Sequence, residues 1–395
     1  MTDISRRASW RDWIAVATLG VASFAIVTVE LAPIGLLTGI GDDLGRPAHQ
    51  VGLAVTLYAW IAAGAALVSA VALGAAPRRP LLAGLLLVLA ASAAASAMAE
   101  SFGALLAARV VGAFAHGAFW AMIGTLGAQL VPPHRVGLAT SIVFGGVSAA
   151  TVIGVPLANT IGNAAGWRTA FGVIAILAIA VAVAVRLAVP PLAGTGGIDR
   201  RRLWRIACDP RYARVFVATL LAITAHFMAY TYVEPFLGEG AGIAPAAVAP
   251  LLFVFGAAGL AANVLTGALI DGRLKAILLL SLVAAAGALA GLAGLGPALG
   301  AGAIAVLLVL WGGAVAAILV GFQTWILKEA GPDALPASAI YVALFNAAIG
   351  LGAMIGALVL DRGGLVAVYA VAALFTATGL AAIALMRAPE AVPAE

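Results

Sequence analysis

Apolar runs of about twenty residues or more follow one another along nearly the whole chain, separated by short polar breaks. A helix needs about 20 apolar residues to cross the hydrocarbon core of a bilayer. On that criterion the pattern predicts an all-α membrane protein with twelve transmembrane helices. The first six lie at about 14–38, 51–72, 80–98, 102–129, 137–158 and 168–189. The second six lie at about 214–237, 248–270, 276–295, 302–327, 337–360 and 365–386. The longest polar interval falls between the two sets. It runs from Pro190 to Arg214 and carries Arg200, Arg201, Arg202, Arg205, Arg211 and Arg214. The expected organisation is an N-terminal six-helix bundle over 1–189, a basic linker over 190–213 and a C-terminal six-helix bundle over 214–395.

Composition agrees with the pattern. Of 395 residues, 64% are hydrophobic and 9% charged, whereas soluble domains carry about 25% charged residues. So few charges cannot cover a water-facing surface. The 47 glycines fit closely packed membrane helices, where small residues let backbones approach. Arg6, Arg7 and Arg11 precede an apolar run that is too long for a cleaved signal segment, so it reads as the first span. The lone cysteine, Cys208, excludes an internal disulfide.

The net charge of +5 reports topology, not a nucleic-acid partner. Arg6, Arg7, Arg11, Arg78, Arg79, Arg135, Arg186, the six linker arginines, Arg273, Lys275, Lys328 and Arg387 fall on one side of the predicted spans. Arg46, Arg168 and Arg362 fall on the other, and Arg109 lies inside a span. The bias predicts that both termini and the linker are cytoplasmic. In each half the third and sixth spans carry hardly a polar group, and the first and fourth types carry the ionisable ones. Four three-helix units are expected, with the bland helices facing lipid and the others a polar cavity, as in transporters built from repeats.

Ionisable groups at membrane depth cost at least ~2.5 kcal/mol each and are functional candidates. There are five: Glu30, Arg109, His116, His226 and Glu234. Glu30 lies about 15 Å and Arg109 about 10 Å below the same membrane face, by helical rise. A carboxylate beside an arginine is favoured in its charged form until something separates them, which makes a usable proton switch. A permanent structural pair is the other reading. Arg109, Gly112, His116 and Trp120 share one helix face, as do His226, Tyr230 and Glu234. His116 and His226 near mid-membrane suit proton relay or a hydrogen bond to a solute hydroxyl. Tyr58, Trp60 and Tyr230 can stack on a solute or, for Trp60, anchor at the interface. Glu234 reads also as a hydrated carboxylate at the mouth. Asn263, Gln323 and Asn346 are further polar candidates; the expected substrate site takes in Tyr58, Trp60, His116, Trp120, His226, Tyr230, Glu234 and Asn346.

Several stretches carry a family resemblance: Glu30-Leu-Ala-Pro33-Ile-Gly35, Asp42-Asp43-Leu44, Thr56-Leu-Tyr58-Ala-Trp60, Arg109-Val-Val-Gly112 with Ala-His116-Gly, Gly154-Val-Pro156, Gly166-Trp167-Arg168, Thr224-Ala-His226, and Tyr230-Thr-Tyr232-Val-Glu234-Pro235-Phe236. Together they resemble the major facilitator superfamily, in its twelve-span drug–proton antiporter branch, and most of all the bacterial sugar efflux transporters of the SotB type. The resemblance covers nearly the whole chain. It implies a bacterial inner-membrane protein that exports sugars or sugar-like solutes against protons, with Glu30 and Arg109 in coupling and Arg78, Arg79, Asp271 and Arg273 in gating loops. Two departures stand out. The loop Gly74-Ala-Ala-Pro77-Arg78-Arg79 lacks the acid this family places there, which the cognate loop keeps as Asp271. Val155 separates Gly154 from Pro156 in the fifth span, where the family joins them.

Other functions fit less well. Efflux of amphipathic drugs or nucleosides would use a similar cavity. An intramembrane enzyme is not expected, because no zinc motif, phosphate loop or metal-ligand cluster is present. No cofactor is expected. The expected partners are the solute, protons and the bilayer, with the chain monomeric.

Overall fold

In the computed structural model, residues 9–132, 135–194, 196–270 and 273–387 are described. Asp271 of the expected gating loop therefore lies outside the described residues. The fold is all-α, with many spans. Among the described residues, eleven helices are long and apolar enough to cross a membrane. They are α1 (Trp10–Gly35), α2 (Ala48–Ala72), α3 (Arg78–Ala97), α4 (Phe102–Leu130), α5 (Leu138–Ala165), α6 (Trp167–Ala188), α7 (Pro210–Tyr230), α8 (Pro245–Leu269), α9 (Leu274–Ala298), α10 (Ala301–Ala330) and α11 (Ala334–Ala384). Within a bilayer every main-chain group must find its partner inside the protein, and helices do this within one segment.

The count differs from the twelve that the pattern predicts, for a local reason. The expected eleventh and twelfth spans are joined in α11, which is 51 residues long. At 1.5 Å per residue that is about 75 Å, more than twice the hydrocarbon thickness. Its course is broken at Gly364, whose φ of 76° is open to a residue without a Cβ. Asp361-Arg-Gly-Gly thus makes a bend, where the pattern suggests a loop.

Local sequence sets the other boundaries. Ser9 and Asp12 form a reciprocal capping box at the start of α1. Asp209 accepts from the Arg211 amide and Pro210 opens α7, so this helix starts four residues before the expected position. Within the expected linker, Asp199 caps a short helix, Arg200–Ala207. Before it, residues 190–194 and 196–199 run as an extended strap against the end of α2. Ile198 donates to the Ala70 carbonyl at 3.1 Å, Gly196 to Gly74 at 3.0 Å, and Arg78 donates back to Leu192 at 2.9 Å.

In the first half, α2 packs on α4, α3 on α4 and α6, and α1 on α5 and α6. In the second, α7 packs on α11, α8 on α10, and α9 on α10 and α11. The halves meet where α2 lies along α11 and where α5 lies along α8. Large apolar side chains also cover the outside. Ile176 and Leu187 on α6, Val264 on α8 and Leu280 on α9 are largely exposed. Such a surface is stable against lipid, not water. The chain is a multi-pass membrane protein.

Candidate functional site

The chemistry of the first half gathers where α1 passes α4. Pro33 has no amide hydrogen, so the carbonyl four residues earlier, on Val29, lacks its helical donor. Arg109 fills that place. Its Nη1 donates to the Val29 carbonyl at 2.7 Å and its Nη2 to the Glu30 carbonyl at 2.9 Å. The guanidinium also lies over the Tyr58 ring, 4.1 Å from its centroid, a favourable cation–π placement. Gly112, one turn along, lets α4 approach α3: a Cβ there would strike Oγ of Ser92, which itself bonds the Ala108 carbonyl at 2.7 Å.

The Glu30 side chain turns elsewhere. Its Oε2 lies 3.6 Å from Nε2 of His116, two turns along α4 from Arg109. His116 meets the edge of Tyr58 at 5.4 Å between centroids and tilts toward Trp120 at 6.2 Å. The group is dry: Tyr58 is 0% exposed, Arg109 and His116 1%, and Glu30 6%. Among the described residues, Glu30 Oε1, Tyr58 Oη and His116 Nδ1 have no hydrogen-bond partner. A buried polar atom left so costs about 1–3 kcal/mol, so this cluster stores a demand for a proton, water or solute. Carboxylate and imidazole together can share and pass a proton.

A second, uncharged cluster sits inside the other half. His226 stacks on Tyr230 at 5.2 Å and on Phe255 at 6.2 Å, and meets the Trp311 ring edge-on at 5.4 Å. His226 Nδ1 and Trp311 Nε1 are again without partners among the described residues. Beside them lies a cavity, lined by Ala222, His226, Leu289, Trp311 and Thr376, with room for about one water molecule. Sequence reasoning singled out His226 and Tyr230 and missed Trp311. Its signal was an indole in the stretch Ala301 to Leu319 of α10, which is otherwise aliphatic or glycine.

The remaining candidates do not join either cluster. Trp60 sits where the halves meet. Its Nε1 donates to the Ala347 carbonyl at 3.3 Å, and Gly350 has room for no side chain beneath the ring. Trp60 also lines a groove of about 500 Å³ with Gly64, Val68 and Phe114. Asn346 is buried on α11, with Nδ2 on the Val342 carbonyl at 2.9 Å and Oδ1 without a partner among the described residues. Glu234 lies at the bundle end farthest from the linker, bonded to Thr38.

At the linker end, Arg78 closes on the Leu73 and Gly74 carbonyls at 3.3 and 2.9 Å. Arg79 reaches the Val189 carbonyl at 3.5 Å. Arg273 starts α9, its amide on the Ile270 carbonyl. The loop that lacks the family's acid is thus held by main-chain bonds from the linker strap. That strap continues into the Arg200–Ala207 helix, whose Arg202 Nη2 pairs with Asp333 of the second half at 2.6 Å.

Comparison with known proteins agrees with this architecture. The family model of the Major Facilitator Superfamily matches residues 16–336. A probable sugar efflux transporter of Mannheimia succiniciproducens is 32% identical over 360 residues, covering 90% of this chain and 89% of that protein. Among solved structures, the human organic anion transporter MFSD10 superposes with a TM-score of 0.72 at 17% identity, covering 94% of this chain and 99% of that one. The nucleoside transporter NupG superposes with a TM-score of 0.71 at 15% identity, covering 94% and 98%. At such identities the structural likeness speaks for the fold.

Proposed function

We propose, from the premise that the chain belongs to the Major Facilitator Superfamily and is a secondary transporter of small solutes, that it exports a sugar or sugar-like polar solute in exchange for protons. The observation that carries the coupling is the dry Glu30–His116 contact at 3.6 Å, beside Arg109. A carboxylate and an imidazole facing each other at membrane depth are proton-exchanging groups without another evident purpose. The sugar assignment is supported by the sugar efflux relative. It is also supported by ring-bearing side chains with unpartnered polar atoms inside each half: Tyr58 and His116 in the first, His226 and Trp311 in the second.

In this reading the two halves are six-helix bundles, α11 crosses twice about Gly364, and the residues 190–213 link them on the cytoplasmic side. Both termini are cytoplasmic, in a bacterial inner membrane, and the protein works as a monomer. Rocking of the halves about the α2–α11 and α5–α8 contacts exposes Glu30 alternately to each side. Trp60, Trp120 and Asn346 line the solute path, and Arg78, Arg79 and Arg273 hold the cytoplasmic loops.

The test is solute flux into inverted vesicles under an imposed proton gradient, with pentoses, galactosides, nucleosides and cationic dyes as competitors. Sugars are expected to compete, and collapse of the gradient to stop accumulation. Competition by dyes or nucleosides alone would move the cargo to another class, and flux indifferent to the gradient would remove proton coupling.

A further inference from the structure

Glu234 does not belong to either cluster, and its bonding is unusual. Its Oε2 accepts from the Thr38 amide at 3.0 Å and from the Thr38 hydroxyl at 2.7 Å. Thr38 stands in the first turn of a separate helix, Leu37–Leu44, which follows α1 after the break at Leu36 and has no side-chain cap of its own. The first amides of a helix lack intrahelical partners and carry partial positive charge. Glu234 supplies the missing cap, and it comes from the other half of the molecule, 196 residues away. Tyr232, with φ of −109°, interrupts the helix after α7, and the short turn Val233–Pro235 then carries the carboxylate to its place.

Other contacts at this end also join the halves. Tyr232 packs over Gly52 and donates to the Ala353 carbonyl at 2.9 Å. His49 Nε2 lies 3.6 Å from Asp361 at a more exposed rim position. The charged groups bearing on Glu234 itself are acidic: Asp42 on the same short helix as Thr38, and Glu239 on the turn that follows. The other charged groups of this end are Asp361 and Arg362 of α11, His49, Arg46, Glu100 and the Asp43–Arg168 pair.

We propose that Glu234 is a proton-operated latch between the halves, a residue that positions them for transport and does not hold the solute. As a carboxylate it makes charge-assisted bonds to Thr38, about twice as strong as neutral ones. It also complements the positive end of Leu37–Leu44. A proton arriving from this end cancels both contributions, relieves the repulsion from Asp42 and Glu239, and frees the first half from the second. Thr38 is eight residues beyond Glu30, about 12 Å by helical rise, so the same opening lays a path toward the inner acid. Naming this end the outside rests on the transport reading and its arginine distribution; the latch does not.

The test is the distance between spin labels at Arg46→Cys and Ala246→Cys, on either side of this end, in a Cys208→Ser background reconstituted in lipid discs without solute. Measurements are made at about pH 8 and about pH 5, on either side of most carboxylate titrations in proteins. With Glu234 present, the long-distance population is expected to rise several-fold at the lower pH. Glu234→Gln is neutral like the protonated acid and cannot titrate, so its distances are expected to match the acid form of the parent, long at both values. Glu234→Ala removes the cap and is expected to show the long distance at both. An acid response retained by Glu234→Gln, or an end that stays closed in Glu234→Gln or Glu234→Ala, would overturn the latch. Because no cargo is present, either result stands whatever solute the protein carries.

Discussion

Arg109 binds the main chain of Glu30, not its carboxylate: Nη2 donates to the Glu30 carbonyl at 2.9 Å, while the acid itself faces His116. The arginine is thus a clamp on the turn of α1 before Pro33 as well as a buried positive charge. The charge still bears on the acid through the dry interior. The partner that can exchange a proton with the acid by contact is the imidazole.

This clamp makes a stability prediction. Arg109→Ala leaves the Val29 carbonyl, which Pro33 cannot serve, without a donor in a dry site, at about 1–3 kcal/mol, and removes the second bond to the Glu30 carbonyl. A loss of a few kcal/mol is expected, seen as earlier thermal unfolding in detergent. Arg109→Lys should lose less but still melt early, because one ammonium cannot reproduce the planar fork across two carbonyls. Tyr58→Phe keeps the ring under the guanidinium and should melt near the parent. An alanine variant as stable as the parent would remove the clamp.

A pH effect is expected away from the membrane core. Asp43 accepts from Arg168, and that hydrogen bond holds its carboxyl below the usual carboxylate range. Because the folded value is depressed, the contribution is present above the unfolded value of about 4 and fades as pH falls through the folded one. Asp43→Asn should therefore lower thermal stability at neutral pH, by about 0.5–1 kcal/mol for so exposed a pair. The gap between variant and parent should close on acidification below about pH 4. A gap unchanged in acid would mean that shape, not charge, holds Asp43 there.

Topology is open to a direct check at Cys208. It caps the Arg200–Ala207 helix and is exposed. With the arginine-rich side in the cytoplasm, a membrane-impermeant maleimide should leave it unmodified in intact cells and label it after permeabilisation. Labelling from outside would invert the assignment.

The sequence made the spans legible because each run of about twenty apolar residues has one stable solution in a bilayer. The bend at Gly364 was harder to read, since Asp361-Arg-Gly-Gly suits a loop and a kinked helix alike. The linker helix had its signal in Asp199 followed by Arg200, but the arginines read as a topology mark and hid the cap. Glu30, Arg109 and His116 were found because charge at membrane depth is costly and rare. The direction of the Arg109 bonds was written in Pro33, which frees the Val29 carbonyl, yet only the packing of α4 on α1 tells which donor arrives. Trp311 and the Thr38–Glu234 bond depend on contacts between distant segments, and no local pattern encodes those.

The last prediction concerns coupling. Glu30 is the acid buried deep in the first half, faced by His116 and near the Arg109 charge. In the exchange cycle proposed above, a proton from outside joins the Glu30–His116 pair while the first half is open outward, and leaves it on the cytoplasmic side. Glu30→Gln keeps the size and the hydrogen-bonding capacity of the side chain but cannot take up or release that proton. The backbone clamp by Arg109 does not involve the carboxylate, so the variant should fold and bind solute much as the parent does. Proton-driven accumulation in inverted vesicles is expected to fall to the level of empty vesicles. Exchange of labelled for unlabelled solute, which needs no net proton movement, should survive. Removing His116 instead, as His116→Ala, leaves the acid without its contact partner and should weaken both coupling and solute affinity. Full uphill transport by Glu30→Gln would eliminate Glu30 as the coupling acid and pass the role to Glu234 or the histidines.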